Sequence, residues 1–208
     1  MIKFIYFDVG GVVISDFSGN DGWKQLKAEL GVTPAMDAEF VKIWRPYEQE
    51  VVLGRDLEAF LPILREKFNL NIPDDYSLLS GFVSRFEANK SIWPIVDKAK
   101  RKNRVGLLTN MYAGMLTKIE EKGILPKTEW DVVIDSSIEM LKKPDKKLFE
   151  LAEQMSQANG PEILFIDNTI DHITAAKFYG WQTYYYDASN HQESCRILEK
   201  YLLALNLI

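Results

Sequence analysis

Histidine and cysteine are almost missing from this 208-residue chain: the histidines are His172 and His191, and the one cysteine is Cys195. A single thiol excludes an internal disulfide and fits a reducing compartment; it reads as an ordinary residue of a C-terminal helix. Two histidines leave a His-rich zinc centre or a Ser-His-Asp triad poorly supplied. No run of about 18 apolar residues is present, so no membrane-spanning helix is expected. A basic face is lacking too. The net charge is -5, and the one basic cluster, KAKRKNR at Lys98 to Arg104, reads as the solvated end of a helix. A nucleic-acid partner is therefore not expected. The first residues enter a strand at once and lack the charged, apolar and small-residue regions of a signal peptide, so a cytoplasmic location is expected.

What is present is a core. Apolar residues make up 47% of the chain and charged residues 26%, within the range of globular proteins. The length suits one domain, or one domain with a large insertion. Five short runs rich in β-branched and aromatic residues stand out: IKFIYF, RVGLLT, DVVIDS, ILFID and TYYYD. Each is nearly continuous in apolar character, as strands buried on both faces are. Helical patterns follow the later runs: AGMLTKIEEKG, KKLFELAEQMSQANG and TAAKFYG. This alternation predicts an α/β fold, a Rossmann-like parallel sheet flanked by helices. From Asp16 to Lys90 the pattern changes. Four helical stretches occur (GWKQLKAELG, AEFVKIWRPYEQEVV, LEAFLPILREKFNL and YSLLSGFVSRFEA) with no convincing strand. That interval is too long for a simple connection. It predicts an all-helical cap over residues 16–90, inserted after the first strand of a core made of residues 1–15 and 91–208. Trp23, Leu26, Leu30, Phe40, Ile43 and Trp44 would form the cap's core, with hinges near Ser15-Asp16 and Asn89-Ser91.

Polar residues stand at the carboxyl ends of the strands, where parallel sheets bind ligands. The first strand ends on Asp8, with Gly10 and Gly11 just beyond. The second ends in Thr109-Asn110, and the fourth in Asp167-Asn168, with Asp171 four residues past Asp167. Lys142-Lys143-Pro144 follows the third strand. Two carboxylates, Asp8 and Asp167, suit a hard divalent cation such as magnesium. The Thr109 hydroxyl and a lysine suit an anionic group such as phosphate. A carboxylate can also attack phosphorus and form an aspartyl-phosphate. Glycines after Asp8 let the backbone turn sharply and approach a ligand.

These residues fall into four ordered motifs: FIYFDVGGV at Phe4 to Val12, LLTN at Leu107 to Asn110, KKPD at Lys142 to Asp145, and FIDNTID at Phe165 to Asp171. In that order, with a helical insertion after the first, the chain resembles the haloacid dehalogenase superfamily of hydrolases. Within it, the chain is similar to a D-x-G-[GN]-V branch that includes sugar-phosphate phosphatases. The resemblance implies that Asp8 is the nucleophile. It implies that Thr109 and Lys143 hold the transferring group, with Asn110 beside the substrate. It further implies that Asp8, Asp167 and the Gly10 carbonyl ligate magnesium. Lys142 competes with Lys143 for the lysine role; the family's lysine directly precedes proline, which selects Lys143.

The chain departs from the family pattern twice. Phosphatases of the family usually carry a second aspartate two positions after the nucleophile, where it protonates the leaving group and activates water. Here that residue is Gly10. A second acid often follows the metal-binding aspartate, and here that residue is Asn168. Gly10 should then make the chain slow on alkyl phosphates, and Gly10→Asp should speed their hydrolysis more than that of aryl phosphates if the new side chain fits; a high native rate on an alkyl phosphate would instead point to a stand-in acid, sought in the cap near Arg45 to Glu48, with Glu48 first. Asp171 is expected either to N-cap the following helix or to support the metal site, and His172 to be an exposed helix-start residue. Trp44, Arg45, Tyr47 and Glu48 either pack the cap or face the substrate. The expected activity is a magnesium-dependent phosphatase acting on a small phosphorylated metabolite. A 2-haloacid dehalogenase and a catalytically weakened binding or regulatory protein are the alternatives.

Overall fold

Five parallel strands form the central sheet in the computed structural model of the chain, which describes every residue except Gly19. β1 (Phe4–Phe7) leads through a tight loop to β2 (Ile14–Ser15). Four helices follow: α1 (Gly22–Glu29), α2 (Asp37–Val51), α3 (Phe60–Phe68) and α4 (Leu78–Ser84). The chain returns through β3 (Glu87–Ala88) and α5 (Trp93–Lys102). Strands and helices then alternate: β4 (Arg104–Thr109), α6 (Met115–Glu121), β5 (Val132–Asp135), α7 (Ser136–Glu139), α8 (Lys146–Ser156), β6 (Ile163–Asp167), α9 (Ile170–Phe178), β7 (Gln182–Tyr185) and α10 (His191–Ala204). The sheet order is β5-β4-β1-β6-β7. The architecture is a Rossmann-like α/β fold, as the alternating pattern predicts.

β1 holds the centre because both its faces are apolar. Ile5 and Phe7 point to one layer, with Leu107, Ile166 and Leu198; Phe4 and Tyr6 point to the other, with Leu108, Phe149, Phe165 and Trp181. This period of two places alternate side chains in opposite cores. The one buried polar atom of β1's side chains, the Tyr6 hydroxyl, donates to the Ala152 carbonyl at 2.9 Å. β7 differs from expectation. It is an edge strand, not one buried on both faces, and Tyr185 is 51% exposed. Tyrosine suits that place because its ring can pack while its hydroxyl stays wet.

The first layer continues into the four-helix insertion. Phe40, Trp44, Phe60 and Phe82 are buried there, with Trp44 5.0 Å from Phe60 and 5.2 Å from Trp23 between ring centroids. Leu26 and Leu30 are buried as expected, whereas Trp23 and Ile43 are only partly so. The two chain crossings into the insertion pair as a short antiparallel ladder, Ile14 with Ala88 and Ser15 with Glu87. β3 lies inside the stretch read as strand-free; two residues carry no periodicity to detect. Lys122, at the end of α6, binds the insertion to the α/β layer. Its ammonium donates to the carbonyls of Val83, Ser84 and Phe86 at 2.8, 2.9 and 2.6 Å, acceptors at and just past the C-terminus of α4.

Candidate active site

The parallel strands end on polar groups, and the fold gathers them. Asp8 leaves β1 and is buried; Thr109 ends β4 and Asp167 ends β6, both fully buried. Lys143 enters from the segment before α8 with a side chain that has no exposure. Its ammonium has three donors, and three acceptors meet them: Asp167 Oδ2 at 2.7 Å, the Leu108 carbonyl at 2.9 Å and Asp8 Oδ1 at 3.0 Å. Asn110 holds this lysine in place through its backbone. Asn110 Oδ1 accepts from the Lys143 N–H at 2.8 Å and its Nδ2 donates to the Lys143 carbonyl at 2.9 Å. Both ends of the Asn110 amide are thereby committed, so this residue positions Lys143. Lys142 points elsewhere, donating to Gln49 Oε1 in α2 at 2.6 Å. The structure thus separates two adjacent lysines that sequence alone ranks only by the following proline.

The electrostatics are unbalanced. Two buried carboxylates share one ammonium. Burial pushes the Asp8 carboxyl up to about 7, with Lys143 opposing the shift and Asp167 adding to it. Burial acts in the same sense on Asp167, but Lys143 and the hydrogen bond from His172 outweigh it and hold that carboxyl below its ordinary range. Lys143 is likewise disfavoured by burial, yet the two carboxylates hold its pKa above the usual lysine value. The site is a buried anionic cluster short of one positive charge.

His172 corrects the expectation of an exposed helix-start residue. Its side chain is 15% exposed, and Nδ1 lies 3.1 Å from Asp167 Oδ2. A carboxylate only accepts, so Nδ1 carries the proton and Nε2 is left as an acceptor. Burial keeps the ring's pKa below the usual histidine value despite that bond. No sequence signal marked His172, because its role depends on the first turn of α9 lying against the end of β6. Asp171, its neighbour, is exposed and is not the N-cap of α9, which is Thr169; the Thr169 N–H instead donates to Asp167 Oδ1 at 2.6 Å. Asn168 Nδ2 donates to Ser18 Oγ at 3.2 Å, across to the insertion side.

Asp8, Asp167 and His172 each offer one ligand atom within 4.8 Å of the others. The set fits a magnesium ion in two respects: both carboxylates supply hard oxygen donors, and a divalent cation would correct the missing positive charge.

The four-helix insertion faces these groups. A cavity of about 820 Å³ is lined by Gly10, Asp16, Asn110, Lys143 and His172 from below and by Trp44, Arg45, Glu48 and Phe82 from the insertion. Its size suits a small metabolite. Glu48 Oε1 accepts from the Tyr112 hydroxyl at 2.7 Å, and burial raises the Glu48 carboxyl above its ordinary value. The loop after β1 turns beneath this cavity. Gly11 has φ +74°, and a Cβ there would sit 2.2 Å from Asn168 Nδ2, so only glycine fits. A Cβ on Gly10 would sit 2.5 Å from Asp16 Oδ2. Gly10→Asp therefore fits only if the Asp16 carboxylate moves aside, which is the condition on which the expected gain depends.

No protein-family model matches the sequence, and no curated protein is recognisably similar to it. Solved structures are. A predicted HAD-like family hydrolase from Porphyromonas gingivalis superposes with a TM-score of 0.72 at 24% identity, covering 95% of this chain and 98% of that one. A HAD family enzyme from Bacteroides thetaiotaomicron, in complex with magnesium and inorganic phosphate, gives 0.72 at 18% identity over 91% and 96%. An L-2-haloacid dehalogenase from Xanthobacter autotrophicus, with chloropropionic acid covalently bound, gives 0.63 at 17% identity over 100% and 85%. With its strand order, its helical insertion after β1 and its polar strand ends, this chain has the fold of the haloacid dehalogenase-like hydrolases.

Proposed function

We propose that the protein is a magnesium-dependent phosphatase that hydrolyses a small phosphorylated metabolite through an aspartyl-phosphate on Asp8. The observation that carries this reading is the buried pair Asp8 and Asp167 held on one ammonium, that of Lys143, which itself lines a metabolite-sized cavity. Asp8 and Asp167 would hold the ion, and magnesium when bound would neutralise charge on the phosphoryl group. Val9 N–H donates to Asp8 Oδ1 at 2.7 Å, fixing the carboxylate so that the other oxygen, Oδ2, is the one to attack phosphorus. Thr109 would bind a phosphoryl oxygen, and Lys143, its three donors already met, would bring its positive charge beside the transferring group while Asn110 keeps it in register. Arg45, from the cavity's upper wall, adds a positive charge suited to an anionic substrate. The four helices, joined to the α/β layer by the β2–β3 ladder, would act as the cap and exclude water during transfer.

A haloacid dehalogenase is the competing reading, favoured by Gly10, since attack on carbon with halide departure needs no leaving-group acid. It gives Asp167 and its partner His172 no chemical task, and for that reason we rank it second. The test is a panel of sugar and nucleotide phosphates with and without magnesium, run beside 2-chloropropionate. Magnesium-dependent phosphate release that is lost in Asp8→Asn supports the phosphatase; metal-independent halide release supports the rival.

A further inference from the structure

The glycine at position 10 removes the side chain that the family resemblance assigns to leaving-group protonation, but it does not remove a carboxylate from that place. Asp16 Oδ2 lies 2.5 Å from the point where a Cβ on Gly10 would stand, and Asp16 Cγ lies 3.3 Å from it. Within an aspartate side chain, ordinary bond lengths put each carboxylate oxygen ~2.4 Å from Cβ. Asp16 Oδ2 thus stands at the radius at which an aspartate at position 10 would carry its own oxygen.

The loop after β1 is built to bring it there. The Val9 carbonyl accepts from the N–H groups of Val13 and Ile14 at 2.9 and 3.0 Å. Gly10 bridges to Ile14, and Gly11 makes the left-handed turn between them. Ile14 and Ser15 are then fixed against Ala88 and Glu87, and Asp16 is the next residue. The Ser18 N–H donates to Asp16 Oδ1 at 2.8 Å, which orients the carboxylate with Oδ2 toward Gly10. Asp16 is half-buried and lines the same cavity as Lys143 and His172. Glu48, the acid favoured by sequence, is placed differently: it projects from α2 and holds the Tyr112 hydroxyl.

We propose that Asp16 is the acid and base of the reaction, supplied from six residues further along the chain than the resemblance predicts. This rests on the phosphatase reading above. As Asp8 Oδ2 bonds to phosphorus, the bond from phosphorus to the ester oxygen breaks, and its electron pair goes to that oxygen. Protonated Asp16 gives its proton to the same oxygen, and the alcohol departs. Asp16, now a carboxylate, takes a proton from the water that attacks phosphorus. The bond from phosphorus to Asp8 breaks with its electrons returning to the carboxylate, inorganic phosphate leaves, and Asp16 is protonated again.

The test compares kcat/KM for an alkyl phosphate (glycerol phosphate) and an activated aryl phosphate (p-nitrophenyl phosphate) in four proteins: wild type, Asp16→Ala, Gly10→Asp, and the double variant Gly10→Asp/Asp16→Gly, with Asp8→Asn as the inactive control. Asp16→Ala is expected to lower the alkyl value by about 10²–10⁴-fold and the aryl value far less, because nitrophenolate leaves without a proton. It should also release a burst of nitrophenol and accumulate phosphorylated Asp8, seen by mass spectrometry, since the base for the second step is gone. Gly10→Asp alone forces two carboxylates into one space and should lose activity. The double variant vacates that space and should recover alkyl turnover well above Asp16→Ala. Equal losses on both substrates in Asp16→Ala, or alkyl turnover unchanged, would overturn the assignment of Asp16 while leaving the phosphatase intact. A wild type inactive on both substrates would overturn the phosphatase reading and this one with it.

Discussion

Asp8→Asn should make the metal-free protein more stable while abolishing its activity, and the gain should depend on pH. In the folded chain burial pushes Asp8 from its ordinary 3.8 to about 7, with Lys143 opposing and Asp167 reinforcing that rise. A carboxyl whose folded pKa is raised holds its proton more tightly folded than unfolded. Its contribution to stability is therefore fully present below the unfolded pKa, near 3.8, and is lost as pH rises through about 7. At about 1.4 kcal/mol per pH unit, that difference amounts to about 4 kcal/mol of stability lost between pH 4 and pH 8. Asparagine keeps the oxygen that accepts from Val9 N–H, and carries no charge to bury. It leaves Lys143 with Asp167 alone, a neutral pair at 2.7 Å. Urea denaturation in EDTA at pH 5 and pH 8 measures this. The wild type should lose stability between the two, and Asp8→Asn should lose much less and exceed it at pH 8 by about 2–4 kcal/mol. Magnesium should raise the wild-type midpoint at pH 8 and close most of the gap. An Asp8→Asn protein that is less stable than wild type at pH 8, or a wild type indifferent to pH across this window, would refute the view that Asp8 is held charged at a cost.

Removing the shared cation should act in the opposite direction. Lys143→Met leaves two buried carboxylates without a counter-charge and should cost about 3–5 kcal/mol at pH 8, and less at pH 5 where Asp8 accepts a proton; denaturation at both pH values reads it. Asp167→Asn should weaken magnesium binding, measured by calorimetry on the protein without substrate, with little change in fold by circular dichroism. Asn110→Ala removes both hydrogen bonds to the Lys143 backbone, each at 2.8–2.9 Å, and should cost about 1–3 kcal/mol and lower kcat more than it changes KM. Lys122→Ala removes the lysine donor from three carbonyls at the C-terminal end of α4, and should speed amide exchange in the insertion more than in the central sheet.

The fold was legible in the sequence wherever long segments carry one period. β1, β4 and β6 are unbroken apolar runs with both faces buried, and the four helical stretches of the insertion repeat apolar residues on one side. What escaped was short or peripheral. β2 and β3 have two residues each and exist only because the two crossings into the insertion lie side by side. TYYYD has the composition of a buried strand but forms an edge, since strand order is set by packing of the whole sheet and not by any one run.

The site divides along the same line. Asp8, Thr109 and Asp167 sit at strand ends and Lys143 directly precedes a proline before α8, so counting along the chain finds them. His172 and Asp16 reach the cavity through turns, and their place depends on how the chain folds back after β1 and into α9. Position 10 shows why such counting fails. Proton transfer needs an oxygen within hydrogen-bond reach of the departing group; it does not specify which residue carries that oxygen. A glycine two residues past Asp8 reads as a lost acid only if each side chain can serve no position but its own. Here the lack of a Cβ at Gly10 is what admits Asp16 Oδ2 to within 2.5 Å of that point, so the glycine and the aspartate six residues later are one arrangement. Substituting either alone disturbs both, and only the paired exchange keeps one carboxylate in the space that holds one.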